Sequence, residues 1–218
     1  MNHSPQKMLP LLKEKWLGLA LKMGFPTKTG EDIWIFLKDH YQGKNRHYHN
    51  FSHIYHSLSY LEKFEDQVLQ LNDLSYAIWF HDVIYKAHKS NNEIRSAEIA
   101  YQYLDELPAP TISQERKQHI FQLIEATQKH NPIGDHEDMK WMLDIDLAIL
   151  GTPRKTYEEY IHAIRKEYRM YPDFLFKPGR RKVIQHFLAR ERLYFTSPFY
   201  QDREEKAREN LRWELGQL

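Results

Sequence analysis

The chain contains no cysteine. That absence removes disulfides, thiolate metal sites, iron–sulfur clusters and cysteine nucleophiles together. Glycine is scarce, at 8 of 218 residues, about half the usual ~7%. Valine occurs three times against twenty-four leucines. Both shortages disfavour sheet, because β-branched residues suit pleated surfaces and glycine serves hairpin turns. No uninterrupted apolar run approaches the ~20 residues of a membrane span. The N-terminal stretch MNHSPQKMLPLLKEKW carries a charge every few residues and no signal-peptide apolar region. A cytoplasmic protein with no membrane partner is therefore expected. An excess of charge is also missing: the formal net charge is +1 with no basic run, so nucleic-acid binding is not expected. Neither a G-x-S-x-G elbow, a P-loop nor a G-x-G-x-x-G turn occurs, which sets aside serine-triad catalysis and those routes to nucleotide binding.

What is present is the composition of a folded, water-soluble protein. Hydrophobic residues make up 41%, charged residues 28%, and the mean hydropathy is −0.74, which excludes a disordered chain. At about 150 residues per domain the length lies between one and two domains. No repeat, low-complexity tract or linker interrupts it, so one all-α domain is predicted. Leu9, Leu12, Trp16, Leu19 and Met23 recur at spacings of 3 and 4, a helical stripe ending at Gly24-Phe25-Pro26. Further helices are predicted from Thr29 to about His40, over about 50–69, over 74–85, and from the S-x-x-E capping box Ser90–Glu93 to about Leu107. Others start near Thr111 or Ser113, at 137 (closing at Gly151), at Thr152-Pro153, at about 179 and at about 202. The segment LSYAIWFHDVIY, 74–85, is nearly all apolar and is predicted to lie at the centre of the fold.

That central segment holds an adjacent His81-Asp82 pair. An unpaired carboxylate buried there would cost several kcal/mol, so it requires a cation, a metal or a network of donors. With cysteine absent, a transition-metal site must be built from imidazole and carboxylate, which suit Mn²⁺, Fe²⁺, Ni²⁺, Zn²⁺ or Mg²⁺. Thirteen histidines are available. His53 stands 28 residues before His81, and Asp144-Ile145-Asp146 places an aspartate 64 residues after Asp82.

The order His…His-Asp…Asp resembles the HD superfamily of metal-dependent phosphohydrolases. The segments Tyr48-His49-Asn50-Phe51-Ser52-His53-Ile54, Trp79-Phe80-His81-Asp82-Val83-Ile84-Tyr85 and Asn92-Glu93-Ile94-Arg95-Ser96-Ala97 resemble one bacterial branch of small HD phosphohydrolases of unassigned substrate. So do Asp144–Gly151 and the tail Ala207-Arg208-Glu209-Asn210-Leu211. The likeness extends over about residues 45–215 and implies a helical HD-type domain. It also implies His53, His81, Asp82 and Asp146 as ligands of a divalent ion. Asp146 is preferred to Asp144 because the family usually places its ligand directly before the Leu or Arg of this segment. Two residues apart on a helix, the aspartates point about 200° apart. Asp144 is then expected to orient a ligand histidine. His49, one turn before His53, either faces the same pocket or packs locally. His130 matches a position where related proteins carry a pocket histidine, for a phosphate or a second metal; a surface loop is the alternative.

Glu93 is expected as the capping-box carboxylate, as a base or substrate contact, or as both at once. Among the cations Lys86, Arg165, Arg169, Arg180, Arg181 and Arg190, the segment Ile164–Tyr168 resembles the family and singles out Arg165. Residues 154–218 carry 15 Lys/Arg and 10 Asp/Glu, whereas residues 1–153 carry 16 and 20. The basic portion can thus supply an anion clamp, or simply solvated helix faces. The expected activity is metal-dependent hydrolysis of a small phosphomonoester or nucleotide, with Asp82, Glu93, His130 and Arg165 in catalytic roles. Two other readings use the same fold: a di-iron oxygenase, which needs further histidines between Asp82 and Asp146 (His119, His130 and His136 are available), and a regulatory module whose metal is structural.

Overall fold

A computed structural model of the protein describes residues 5–132, 134 and 136–218, with side chains from Met8 onward. Its described residues form ten α-helices and two 3-10 segments, and no strand occurs among them. The fold is all-α, as the shortage of glycine and valine predicts. Contacts divide the chain into two compact units, Met1–Met142 and Leu143–Leu218.

The first unit contains α1 (Pro5–Met23), α2 (Thr27–Tyr41), α3 (Phe51–Lys63), α4 (Leu71–Phe80), α5 (Asn92–Asp105) and α6 (Gln114–Ala126). Helix α4 packs against α1, α3, α5 and α6. Leu74, Tyr76, Ala77, Ile78, Trp79 and Phe80 have no exposed surface. A helix apolar on every side is stable in water only when it is enclosed. Aromatic rings fill the space around it: Trp16 meets Trp79 and Phe80 edge-on at 5.7 and 5.9 Å between centroids. The polar tips are satisfied by main-chain carbonyls. Trp16 Nε1 donates to Gly30 at 2.8 Å, Tyr41 to Trp79 at 3.0 Å and Tyr76 to Ala100 at 3.1 Å. These bonds offset the cost of burying an indole N–H and two hydroxyls.

Helix α4 stops at Phe80 rather than running to Tyr85 as its apolar pattern suggests, and His81 is its C-cap. His81 and Asp82 thus leave the helix at its end, where the backbone turns and ligand atoms can converge. Helix α5 also starts differently from the expected capping box. Its N-cap is Asn91, with no side-chain cap bond, and the Ser90 carbonyl instead accepts from Gln128 Nε2 at 2.6 Å.

Helix α7 (Glu137–Asp146) ends at Asp146 and continues as a 3-10 segment, Leu147–Gly151. The second unit is completed by α8 (Arg154–Glu167), α9 (Asp173–Leu188) and α10 (Ser197–Gln217). Helix α10 packs closely on the 3-10 segment: Asn210 Nδ2 donates to Leu150 at 2.8 Å and Thr152 at 2.9 Å, and Arg203 Nη1 to Ala148 at 3.1 Å. Gly151 is required at this crossing, because a Cβ there would lie 2.6 Å from Arg203 Cβ and 2.9 Å from its carbonyl oxygen. Helix α9 begins six residues earlier than the expected 179, passing through Pro178. The missing N–H leaves only the Phe174 carbonyl without its helical partner, on a face exposed to water.

Candidate metal centre

His53 projects from the first turn of α3, which is capped by Asn50 accepting from Ser52 N at 2.8 Å. His81 and Asp82 lie at the end of α4. All three side chains are buried, and their ligand atoms form a triangle. His53 Nε2 is 3.0 Å from His81 Nε2, His81 Nε2 is 3.2 Å from Asp82 Oδ2, and His53 Nε2 is 3.7 Å from Asp82 Oδ2. Two donors each about 2.1 Å from a shared ion stand about 3.0 Å apart at a right angle and about 3.4 Å at the tetrahedral angle. The triangle therefore has the dimensions of one face of a metal coordination shell. Among the described residues, this is the group of three that could hold an ion.

The proton inventory agrees with that use. His81 Nδ1 is 2.8 Å from the Ile78 carbonyl. A carbonyl only accepts, so Nδ1 carries the hydrogen, and Nε2 turns into the triangle, where it sheds any proton it carries when an ion binds. Burial by itself would raise the Asp82 carboxyl. The His81 charge, then that of His49, the hydrogen bond from His81 and the charge of His53 outweigh it and hold the group well below the usual carboxylate range. The site thus presents an anionic oxygen beside two imidazole nitrogens.

The expected orienting role of Asp144 is corrected. Its fully buried carboxylate accepts from Phe195 N at 2.8 Å, Thr196 N at 2.7 Å and Thr196 Oγ1 at 2.7 Å, just where α10 begins. Burial pushes its carboxyl up, to about 7, against the Thr196 and Phe195 donors. Asp144 is thus a clamp on the start of α10, and the bond that sets the histidine tautomer comes from Ile78. Asp146 is the last residue of α7, half-buried in the second unit, where its charge is felt at the Tyr160 hydroxyl.

His49 lies beside the triangle without joining it. Its ring stacks on Tyr85, 4.2 Å between centroids at 29°, and lies 6.2 Å from the His53 ring. Glu93 is part-buried in the first turn of α5. His130 sits just past the C-cap of α6 with φ of 46°, a left-handed conformation that commonly ends a helix and is uncommon outside glycine and asparagine. His119 and His136 face each other, ring centroids 6.0 Å apart. Arg165 closes the turn between α8 and α9: it reaches Asp173 at 2.7 Å and the carbonyls of Tyr168 and Tyr171 at 3.1 Å.

Three residues that frame the site carry no catalytic signature in the sequence. Arg46 donates to the carbonyls of Asp82 at 2.5 Å, Val83 at 2.6 Å and His49 at 3.0 Å. Its guanidinium also lies 5.0 Å from the Tyr41 ring centroid and 5.6 Å from that of Tyr85. Asn92 binds Lys86 N and O, both at 3.0 Å, and Ser96 Oγ accepts from Ile84 N at 3.0 Å. Together they fold the segment after Asp82 back onto α5. Only the motif Asn92–Ala97 hinted at the last two. A lysine cannot reproduce the fork of Arg46. Arg46→Lys is expected to weaken divalent-ion binding about 10–100-fold, read by isothermal titration; unchanged affinity would remove Arg46 from the site.

No family model matches the chain, and no curated protein or solved structure matches it.

Proposed function

We propose that this protein is a divalent-metal-dependent phosphohydrolase of the HD type, acting on a small phosphomonoester or nucleotide. The observation that carries the reading is the buried triangle of two imidazole nitrogens and one carboxylate oxygen, with sides of 3.0, 3.2 and 3.7 Å. His53, His81 and Asp82 hold the ion in this proposal. Asp146 completes the ligand set on the sequence resemblance alone, Asp144 being already spent on Phe195 and Thr196. A divalent ion bound there supplies Lewis acidity toward a phosphate oxygen and makes a bound water more acidic.

The chain's own groups account for the remaining steps. The ionised Asp82 can accept a proton at its carboxylate oxygen, with Glu93 as a second proton acceptor acting through water. His130 is assigned to the phosphate, to offset charge on its non-reacting oxygens, whereas the Arg165 guanidinium is already committed to Asp173 and the Tyr168 and Tyr171 carbonyls. His49 is held against Tyr85 near the triangle.

The test is a hydrolysis screen over small phosphomonoesters and nucleotides with Mn²⁺, Mg²⁺, Fe²⁺, Ni²⁺ and Zn²⁺. Activity is expected with at least one ion, and a loss of about a thousand-fold or more in His81→Ala and Asp82→Ala. Hydrolysis that survives both substitutions would end this reading. Metal loss in Asp144→Asn but not in Asp146→Asn would reassign the fourth ligand.

A further inference from the structure

Helix α9 packs on α10, yet apart from the enclosed Arg180 guanidinium Ile184 is its one buried side chain. On the rest of its surface Phe174 is 74% and Leu175 54% exposed, and Met170, in the turn before the helix, is 60% exposed. Spacings of 3, 4 and 7 residues bring Phe174, Leu175, Pro178, Arg181 and Lys182 onto one exposed stripe. Its first half is apolar and its second half basic, with Lys177 alongside. Among the described residues Lys177, Arg181 and Lys182 have no acidic partner. The acid at the start of the helix, Asp173, is taken by Arg165.

Adjacent large apolar side chains on a solvent-facing helix demand a cover, and the charges beside them restrict what it can be. A second copy of the same face offers one carboxylate, Asp173, which Arg165 already pairs. Head to tail, its basic half would meet the apolar half; side by side, cation would meet cation. An anionic lipid surface meets both halves at once. Apolar side chains enter the acyl boundary while Lys and Arg stems reach headgroup phosphates. We propose that the Met170–Lys182 face of α9 docks the protein on an anionic phospholipid surface. The expectation of no membrane partner rested on the length of apolar runs, which governs spanning and not adsorption. This inference is independent of the metal reading.

The experiment is co-sedimentation of the full chain with phosphatidylcholine vesicles, with and without phosphatidylserine. Binding is expected only with phosphatidylserine and should fade as salt is raised. Arg181→Glu with Lys182→Glu should weaken it about thirty-fold, and Phe174→Ser with Leu175→Ser by at least about ten-fold. All four side chains are exposed, so these variants keep the fold. Failure to bind, equal binding to neutral vesicles, or wild-type binding by both variants would overturn the proposal. So would a dimer dissolved by Phe174→Ser with Leu175→Ser, or capture of an acidic polypeptide, if either occurs without vesicle binding.

Discussion

Titrating the metal-free chain with Zn²⁺, Ni²⁺ or Mn²⁺ is expected to raise its thermal midpoint by roughly 10 °C, and His81→Ala or Asp82→Ala is expected to abolish the rise. The size follows from mass action. A ligand that binds only the folded state at a thousand times its dissociation constant stabilises by about 4 kcal/mol, and each kcal/mol moves the midpoint of a chain this size by about 2–4 °C. Three ligand atoms on two short stretches, α3 and the end of α4, meet only when the first unit is folded, so binding and folding are linked. Acid should diminish the effect. Asp82 is held well below the usual carboxylate range and remains ionised, so the protons that compete with the ion are those of the imidazoles. The sign can be checked without metal. A depressed carboxyl stabilises the fold above its unfolded value and loses that contribution as pH falls through its folded value; Asp82→Asn should therefore narrow the acid tolerance of the metal-free protein. Equal midpoint shifts in wild type and His81→Ala would show that the ion binds elsewhere.

Two residues of the triangle were legible in the sequence because the requirement is local and severe, while His53 came from the family resemblance. A carboxylate cannot sit unpaired in AIWFHDVIY, and that alone pointed to His81 and Asp82. Periodicity located most helices for the same reason, since burying one stripe of α1, α6 or α8 constrains every third or fourth residue. It failed where a boundary depends on a distant partner. Helix α4 ends early because the segment after it is drawn onto α5 by Asn92 and Ser96, and no pattern within 74–85 reports that. Asp144 and Asp146 carry the same chemistry two residues apart, and only the chain 51 and 52 residues further on distinguishes them. Arg46 bonds carbonyls 36 and 37 residues away; main-chain oxygen is common to every residue, so spacing cannot reveal it. The start of α9 was missed because proline inside a helix is usually a break, a rule that relaxes where the orphaned carbonyl faces water.

Glu214→Ala is expected to cost about 3–5 kcal/mol, the largest single effect predicted in the second unit. The Glu214 carboxylate receives both arms of the Arg180 fork, Nε at 2.7 Å and Nη2 at 2.9 Å, and the Tyr157 hydroxyl also donates to it. Arg180 and Glu214 side chains are only 10% and 5% exposed. Removing the carboxylate strands a buried guanidinium that keeps only a 3.5 Å approach to the Tyr160 hydroxyl and its ring, and leaves the buried Tyr157 hydroxyl without that acceptor. The penalty is the desolvation of groups that have lost their partner, and it exceeds what the intact pair contributes over an apolar pair of the same shape. Two variants separate these quantities. Glu214→Ala should lower the midpoint by about 10 °C and raise hydrogen exchange along α8, α9 and α10, which the three side chains tie together. Arg180→Met combined with Glu214→Leu, with Tyr157→Phe to remove the hydroxyl, should recover most of the loss. If Glu214→Ala melts within about 1 °C of wild type, the network is solvated and contributes little. If the triple variant is as unstable as the single one, packing around α10 rather than stranded charge is the cause.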